Sequence, residues 1–189
     1  MPSRVENYLA HFDRLTDHIE PRFLPVGSTK PNLKGITMMV YDDLPPGLLT
    51  AATYGLSLAD HTDWRYGRPE LCISIRSTND LWARAVGHLA ETLRGDCPFS
   101  YGETINFGEQ ITAESHMTAF VIFAPAVLDR GDFTNIDVGV PGHKGHDLIN
   151  IAGIYPIHEV ERQFIREHGL GTFWNLDWDP YDVTRPPAV

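Results

Sequence analysis

Cysteine is almost absent: Cys72 and Cys97 are the only two in 189 residues. A small secreted domain would use more, in paired spacings. Two isolated thiols cannot hold zinc without histidines, so two buried, unlinked thiols are expected. Basic residues are also in short supply. Lys and Arg total 15 against 25 Asp and Glu, a net charge of −10. That sign repels phosphate backbones, which disfavours nucleic acid as a partner and suits a basic protein. No apolar run approaches the roughly 20 residues that cross a bilayer, and no basic amphipathic segment offers a membrane-surface helix. The opening Met1-Pro2-Ser3-Arg4-Val5-Glu6 has no basic start leading into an apolar stretch, so a cytoplasmic location is expected.

Catalytic signatures are scarce too. Ser57 and Ser100 sit in no Gly-x-Ser-x-Gly elbow. The glycines spell no phosphate-binding loop and no dinucleotide fingerprint. Cys97 runs directly into Pro98 with no nucleophile signature around it. Asp177, Asp179 and Asp182 alternate near Pro180, but the glycine and distal glutamate of a calcium-binding EF-hand are missing. The most suggestive cluster is Gly142-His143-Lys144-Gly145-His146-Asp147. Two imidazoles and a carboxylate are metal-ligand types, and a bound metal activates water. A further ligand must come from elsewhere, with His116 and Glu159 as candidates. No metal or cofactor is expected, and the alternative is a metal-dependent hydrolase using the His143/His146/Asp147 loop.

What is present is an ordinary globular mixture, 42% hydrophobic and 21% charged, enough to bury a core in a single domain, 1–189. Val5, Tyr8, Leu9, Phe12, Leu15 and Ile19 recur at helical spacing, with Ser3 and Glu6 placed as a capping box and Pro21 as the stop. A loop over residues 25–35 leads to strands over 36–41, 48–57 and 70–76. In the last, Leu71, Ile73 and Ile75 alternate with Cys72, Ser74 and Arg76. A helix over 79–94 carries Leu81, Trp82, Ala85, Val86, Leu89 and Leu93 as its core stripe. Short strand 103–107 precedes Ala119-Phe120-Val121-Ile122-Phe123-Ala124, a run suited to a strand buried on both faces. Strand 147–155 and a helix starting near Pro156 close the pattern.

The order of these features is similar to that of a known family. Thr53-Tyr54-Gly55-Leu56-Ser57 precedes Arg68-Pro69-Glu70-Leu71; a long helix ends before Gly102-Glu103-Thr104-Ile105; an apolar strand follows; and Ile154-Tyr155-Pro156-Ile157-His158 leads to Glu161. Over about residues 36–178 this resembles the suppressor-of-fused domain family, and in particular its shorter bacterial members. The resemblance implies an α/β (α+β) fold, a mixed β-sheet flanked by helices, like the N-terminal lobe of the animal protein and without its second lobe. It implies protein binding rather than catalysis. The animal member sequesters Gli-type transcription factors, and bacterial members resemble immunity proteins that neutralise toxins, here by expectation a basic one. Residues at the end of the long helix and in the next loop of the animal protein contribute to the partner groove. The matching positions are Phe99 and Glu103; a third, aromatic in the animal protein, falls near Glu91, which departs from it. An aromatic anchor beside a carboxylate is a reasonable hot-spot pair on physical grounds as well.

Overall fold

A computed structural model describes residues 2–139 and 147–189. The capping box forms as expected. The Ser3 N–H donates to the Glu6 carboxylate at 2.6 Å and the Glu6 N–H to the Ser3 hydroxyl at 3.4 Å, opening helix α1 (Arg4–Leu15). Tyr8 and Phe12 form its buried face. The helix ends before Pro21, because Asp17 and His18 turn into left-handed backbone at φ 54° and 63°. Ile19 is therefore exposed rather than in the stripe, and Val5, in the first turn, is exposed as well. Part of the expected loop is instead an edge strand, β1 (Arg22–Val26). An edge position tolerates Pro25, whose nitrogen has no hydrogen to give a ladder.

Seven further strands are β2 (Ile36–Tyr41), β3 (Leu49–Tyr54), β4 (Arg68–Ile75), β5 (Thr104–Asn106), β6 (Ala119–Phe123), β7 (Ile136–Asp137) and β8 (Leu148–Ile157). They make one sheet in the order β1-β2-β3-β4-β8-β6-β5, with β7 on β8. β4 and β8 run parallel; the other pairings are antiparallel. The expected strands at Leu71–Ile75 and Ala119–Ala124 thus share one sheet, linked through β8. Pro156 belongs to β8, opposite Phe120, and not to the next helix. It is accommodated because β4 pairs β8 only along residues 149–153, so the missing N–H interrupts no second ladder.

The pleat divides the core by parity. Leu71, Ile73, Ile75, Ala152 and Ile154 face one side, where helix α2 (Leu81–Leu93) packs through Trp82, Val86, Leu89 and Ala90. Met39, Tyr41, Ala52, Cys72, Ile149 and Ile151 face the other side, under α1. Farther along that second face, helices α4 (Glu159–His168) and α5 (Leu170–Trp174) cover Val121, Tyr155 and Ile157. A short helix α3 (Arg130–Phe133) precedes β7. Leu81 departs from expectation: it is 49% exposed. The sheet-facing stripe begins at Trp82, which is fully buried with its indole N–H on Glu114 at 2.9 Å, and this rotation turns Leu81 to solvent. Asp80, not Asn79, is the N-cap residue and makes no side-chain cap bond; the Asn79 side chain, one residue earlier, accepts from the Leu81 N–H at 3.0 Å.

Three buried carboxylates organise the connections. Glu70, on β4, is fully buried and accepts five hydrogen bonds: from the Thr53 hydroxyl (2.5 Å), the Gly55 N–H (2.9 Å), the Leu56 N–H (3.3 Å), and the Ser57 N–H and hydroxyl (3.1 and 2.6 Å). Burial pushes this carboxyl up, and the donors pull it back. Gly55 supplies the left-handed backbone, φ 119°, that curls these N–H groups inward. Glu91 takes the Thr29 N–H at 2.7 Å and pairs with Arg94, whose guanidinium also reaches the Lys34 and Gly55 carbonyls. Glu161 accepts from the His158 and Ala188 N–H groups and pairs with Arg185, which stacks over Trp178 and pins the C-terminal segment.

Leu89, 7% exposed under the sheet, and Leu81, 49% exposed, give a paired test of this layout. Leu89→Ala is expected to cost about 2–5 kcal/mol and Leu81→Ala less than about 0.5 kcal/mol in urea denaturation; equal costs would contradict it. Glu70→Gln replaces a charged acceptor with an amide whose N–H₂ can face backbone N–H groups that only donate, so a loss on the order of 3 kcal/mol is expected. A variant as stable as the parent would show that the turn does not need the carboxylate.

Candidate functional site

A cleft of about 630 Å3, lined in part by Trp64, Tyr66, Phe99 and Tyr101, opens at the end of the sheet where β4 and β8 begin. Three loops build it. One runs from His61 to Gly67 into β4, the second from Gly95 to Tyr101 after α2, and the third from α3 into β7. The walls are tied to one another. Trp64 donates its indole N–H to the Pro98 carbonyl at 2.9 Å, joining the first two loops. Asn150, on β8, donates to the Tyr66 carbonyl at 3.0 Å and accepts from the Asn135 N–H at 2.8 Å, joining the first and third. Gly67 is needed at this junction: its φ is 127°, and a Cβ there would stand 2.5 Å from the Asn150 side-chain nitrogen.

On this rigid frame two tyrosines project outward. Tyr66 is 85% exposed and Tyr101 is 51% exposed, the latter resting edge-on against Phe123 at 5.4 Å. Arg130 and Asp63 add one charge of each sign to the lining. Large, rigid, amphipathic rings at the rim of a preformed recess are what protein recognition uses for anchoring.

Phe99 and Glu103 are brought together on one turn, between the second loop and β5. Phe99 is 3% exposed and packs in the α2-side core while also lining the cleft floor. Its backbone is left-handed at φ 53°, a conformation that costs energy for a bulky residue and persists only where its surroundings impose it. Glu103 is half-buried behind the floor, accepting from the Ser100 N–H at 3.0 Å and the Cys97 thiol at 3.4 Å. It closes the turn that presents Tyr101. Burial pushes the Cys97 thiol up to about 11, with the Glu103 charge adding to the shift, which leaves the thiol un-ionised at neutral pH. Glu91 lies away from the cleft in its buried pair with Arg94.

Of the sequence-derived metal set, His143 and His146 lie outside the described residues. The Asp147 carboxylate is held by Arg4, at 2.7 and 3.3 Å. Glu159 is taken by Arg162 and Gln163, and Asp179 is paired with Arg76. Among the described residues no three His, Cys, Asp or Glu side chains converge on a metal position, and no helix is long and apolar enough to cross a membrane. Sequence reasoning missed Trp64, Tyr66 and Tyr101. The available signal was a pair of loop aromatics next to glycine, Tyr66-Gly67 and Tyr101-Gly102, outside any apolar periodicity.

Asn150 is expected to hold the cleft rather than the fold. Asn150→Ala removes two hydrogen bonds at a part-exposed position, so stability should fall by only about 1–2 kcal/mol. The Asn135 amide should nonetheless lose its hydrogen-exchange protection. Unchanged exchange at Asn135 would mean the walls are fixed by other contacts.

Comparisons with known proteins agree with this architecture. A suppressor of fused homologue from Neisseria gonorrhoeae superposes with a TM-score of 0.74 at 17% identity, covering 97% of this chain and 95% of that one. A chain of the Sufu–Fu complex gives 0.71 at 13% identity, covering 99% and 93%. Drosophila Suppressor of Fused also gives 0.71, at 11% identity, covering 99% of this chain and 51% of its own length; the chain thus spans about half of the fly protein. No curated protein sequence matches. The family model described as suppressor of fused protein (SUFU) matches residues 29–186. With that model matching most of the chain and the fold superposing on these structures, this protein belongs to the suppressor of fused family.

Proposed function

We propose that this chain is a cytoplasmic protein-binding module, not an enzyme, and that it neutralises a basic bacterial toxin by seating it on the cleft bounded by Tyr66 and Tyr101. The observation that carries this reading is the pair of exposed tyrosines on a hydrogen-bonded frame. The backbone carrying Tyr66 is held by Asn150 and the Tyr101 ring rests on Phe123, which reduces the conformational freedom lost on binding. Phe99 contributes as the hydrophobic floor, and Glu103 by shaping the turn beneath Tyr101. The Sufu–Fu complex supports the reading by analogy, since it pairs a chain of this fold with another protein.

Charge supports the toxin partner. Toxins that attack nucleic acids are commonly basic, since they must hold phosphates. A net charge of −10 attracts such a surface from a distance, and speed matters to a host protein that must intercept a toxin on entry. Steering is screened over roughly 8 Å at physiological salt, so association should slow as salt rises while dissociation changes little.

The decisive assay is co-expression with toxins encoded beside this gene in its native host. Protection against one of them is expected. Tyr66→Ala and Tyr101→Ala should each raise the off-rate by about tenfold or more, the range of a hot-spot truncation. Failure to neutralise any neighbouring toxin would sink the immunity reading. Neutralisation that survives both tyrosine substitutions would move the interface off the cleft.

A further inference from the structure

The cleft bounded by Tyr66 and Tyr101 continues past Tyr66. An adjoining hollow of about 530 Å3 shares Trp64, Tyr66, Gly67 and Asn135 with it and adds Arg65 and Arg68 to the lining. The two hollows form one groove, in which Arg65 lines one half and Arg130 the other.

The charges along this groove do not follow those of the whole protein. Most described Lys and Arg side chains sit in ion pairs. Lys34, Arg65, Arg84, Arg130 and Arg166 make none with a described carboxylate, and of these Arg65 and Arg130 stand exposed on the groove. Arg68 is already paired with Asp60 at 2.7 Å. Of the carboxylates that line the groove, Asp147 is held by Arg4 at 2.7 Å, which leaves Asp63 as the one without a cationic partner among the described residues. Two open guanidinium groups thus face one carboxylate, in a chain whose net charge is −10. Arg130 already acts on the aromatic wall. Burial pushes the Tyr101 hydroxyl up, and the Arg130 charge pulls it back. A guanidinium is weakly hydrated and presents a planar fork that matches a carboxylate. A basic segment entering here would meet two like charges instead, which costs affinity.

We propose that the stretch of the partner that enters this groove is acidic: a short peptide segment with an aromatic side chain seated over Phe99 between the two tyrosines, and with carboxylates that reach Arg65 and Arg130. The inference rests on the reading of the cleft as a protein-binding surface, and it names the chemistry of the segment taken. Attraction and seating then fall to different charges. The net negative charge draws a basic protein from a distance. Within the screening length of roughly 8 Å the two arginines select which of its segments docks. A single-stranded nucleic acid also stacks on such rings, but its run of phosphates would face the chain's net negative charge. A peptide brings only a few charges, all of them to the groove.

The test uses the full chain and needs no toxin. Three end-blocked pentapeptides carry phenylalanine at the centre, flanked on both sides by glutamates, by glutamines or by lysines. Each is titrated into isotopically labelled protein at physiological salt, and the Trp64 indole N–H and the Gly67 amide are followed by NMR. The glutamate peptide is expected to bind about fivefold more tightly than the glutamine peptide, the combined worth of two exposed ion pairs, and the lysine peptide more weakly than either. This order runs against the protein's net charge, so long-range attraction does not produce it. The double substitution Arg65→Gln with Arg130→Gln should bring the glutamate peptide down to the glutamine peptide. Tightest binding of the lysine peptide, equal affinities, or a preference that survives the double substitution would overturn the inference and leave the cleft as an interface. No shift at Trp64 and Gly67 with any peptide at millimolar concentration would overturn it as well. So would an oligothymidylate that saturates the same signals more tightly than the glutamate peptide, since the groove would then be a nucleic-acid site. Failure to neutralise a toxin, with the glutamate preference intact, would remove the toxin as partner and leave this inference standing.

Discussion

The fold turns on Gly55, where two buried charges meet. Glu70 takes the Gly55 N–H from one side, and Arg94 donates to the Gly55 carbonyl from the other. Through Glu70 the turn is bound to β4, the strand at the middle of the sheet. Through Arg94 and its partner Glu91 it is bound to the C-terminal end of α2 and to the residues 28–34 that precede β2. An unpaired carboxylate or guanidinium in this interior would be severely destabilising. Each therefore demands its partners, and the partners lie on four separate stretches of chain. The two sequence motifs around Gly55 and Glu70, 15 residues apart, are in this sense one interaction seen twice.

The same economy recurs at the chain's other end. Glu161 holds both the N-terminus of α4, through the His158 N–H, and the C-terminal segment, through Arg185 and the Ala188 N–H. The aromatics Phe173, Trp174 and Trp178, tilted and edge-on to one another, then close over Val121, Tyr155 and Ile157. The result is a sheet covered on both faces, with β4 and β8 as its doubly buried centre. The open spaces lie at the margins: a cleft where three loops meet at the start of the parallel pair, and a smaller cavity where α1 falls short of the sheet edge.

Much of the candidate site was invisible in the sequence for a definite reason. Phe99 was legible as an aromatic in the turn after the long helix, but whether it faces a partner or the core depends on α2 and β6, which pack around it. Glu103 was legible as a carboxylate in a loop; its engagement by Ser100 and Cys97 depends on the tightness of that turn. Leu81 fell within the apolar stripe, yet a modest rotation set by the burial of Trp82 carried it to solvent. Pattern reports which residues prefer the interior and not which of them receive neighbours.

By itself the sequence determined the features that repeat over short distances. The alternation at Leu71–Ile75, the double-sided run at Ala119–Phe123, the capping box at Ser3 and Glu6, and the α2 stripe from Trp82 to Leu89 all follow from periods of two and 3.6 residues. Those periods are properties of adjacent backbone, so a single chain displays them. Only the tertiary structure decided that Tyr66 and Tyr101 stand exposed across one cleft, that Phe99 lies beneath them, and that the Tyr41 hydroxyl is sealed with no hydrogen-bond partner among the described residues. Exposure and pairing are set by what packs on a residue from segments 34 to 143 positions away, and no local period encodes that meeting.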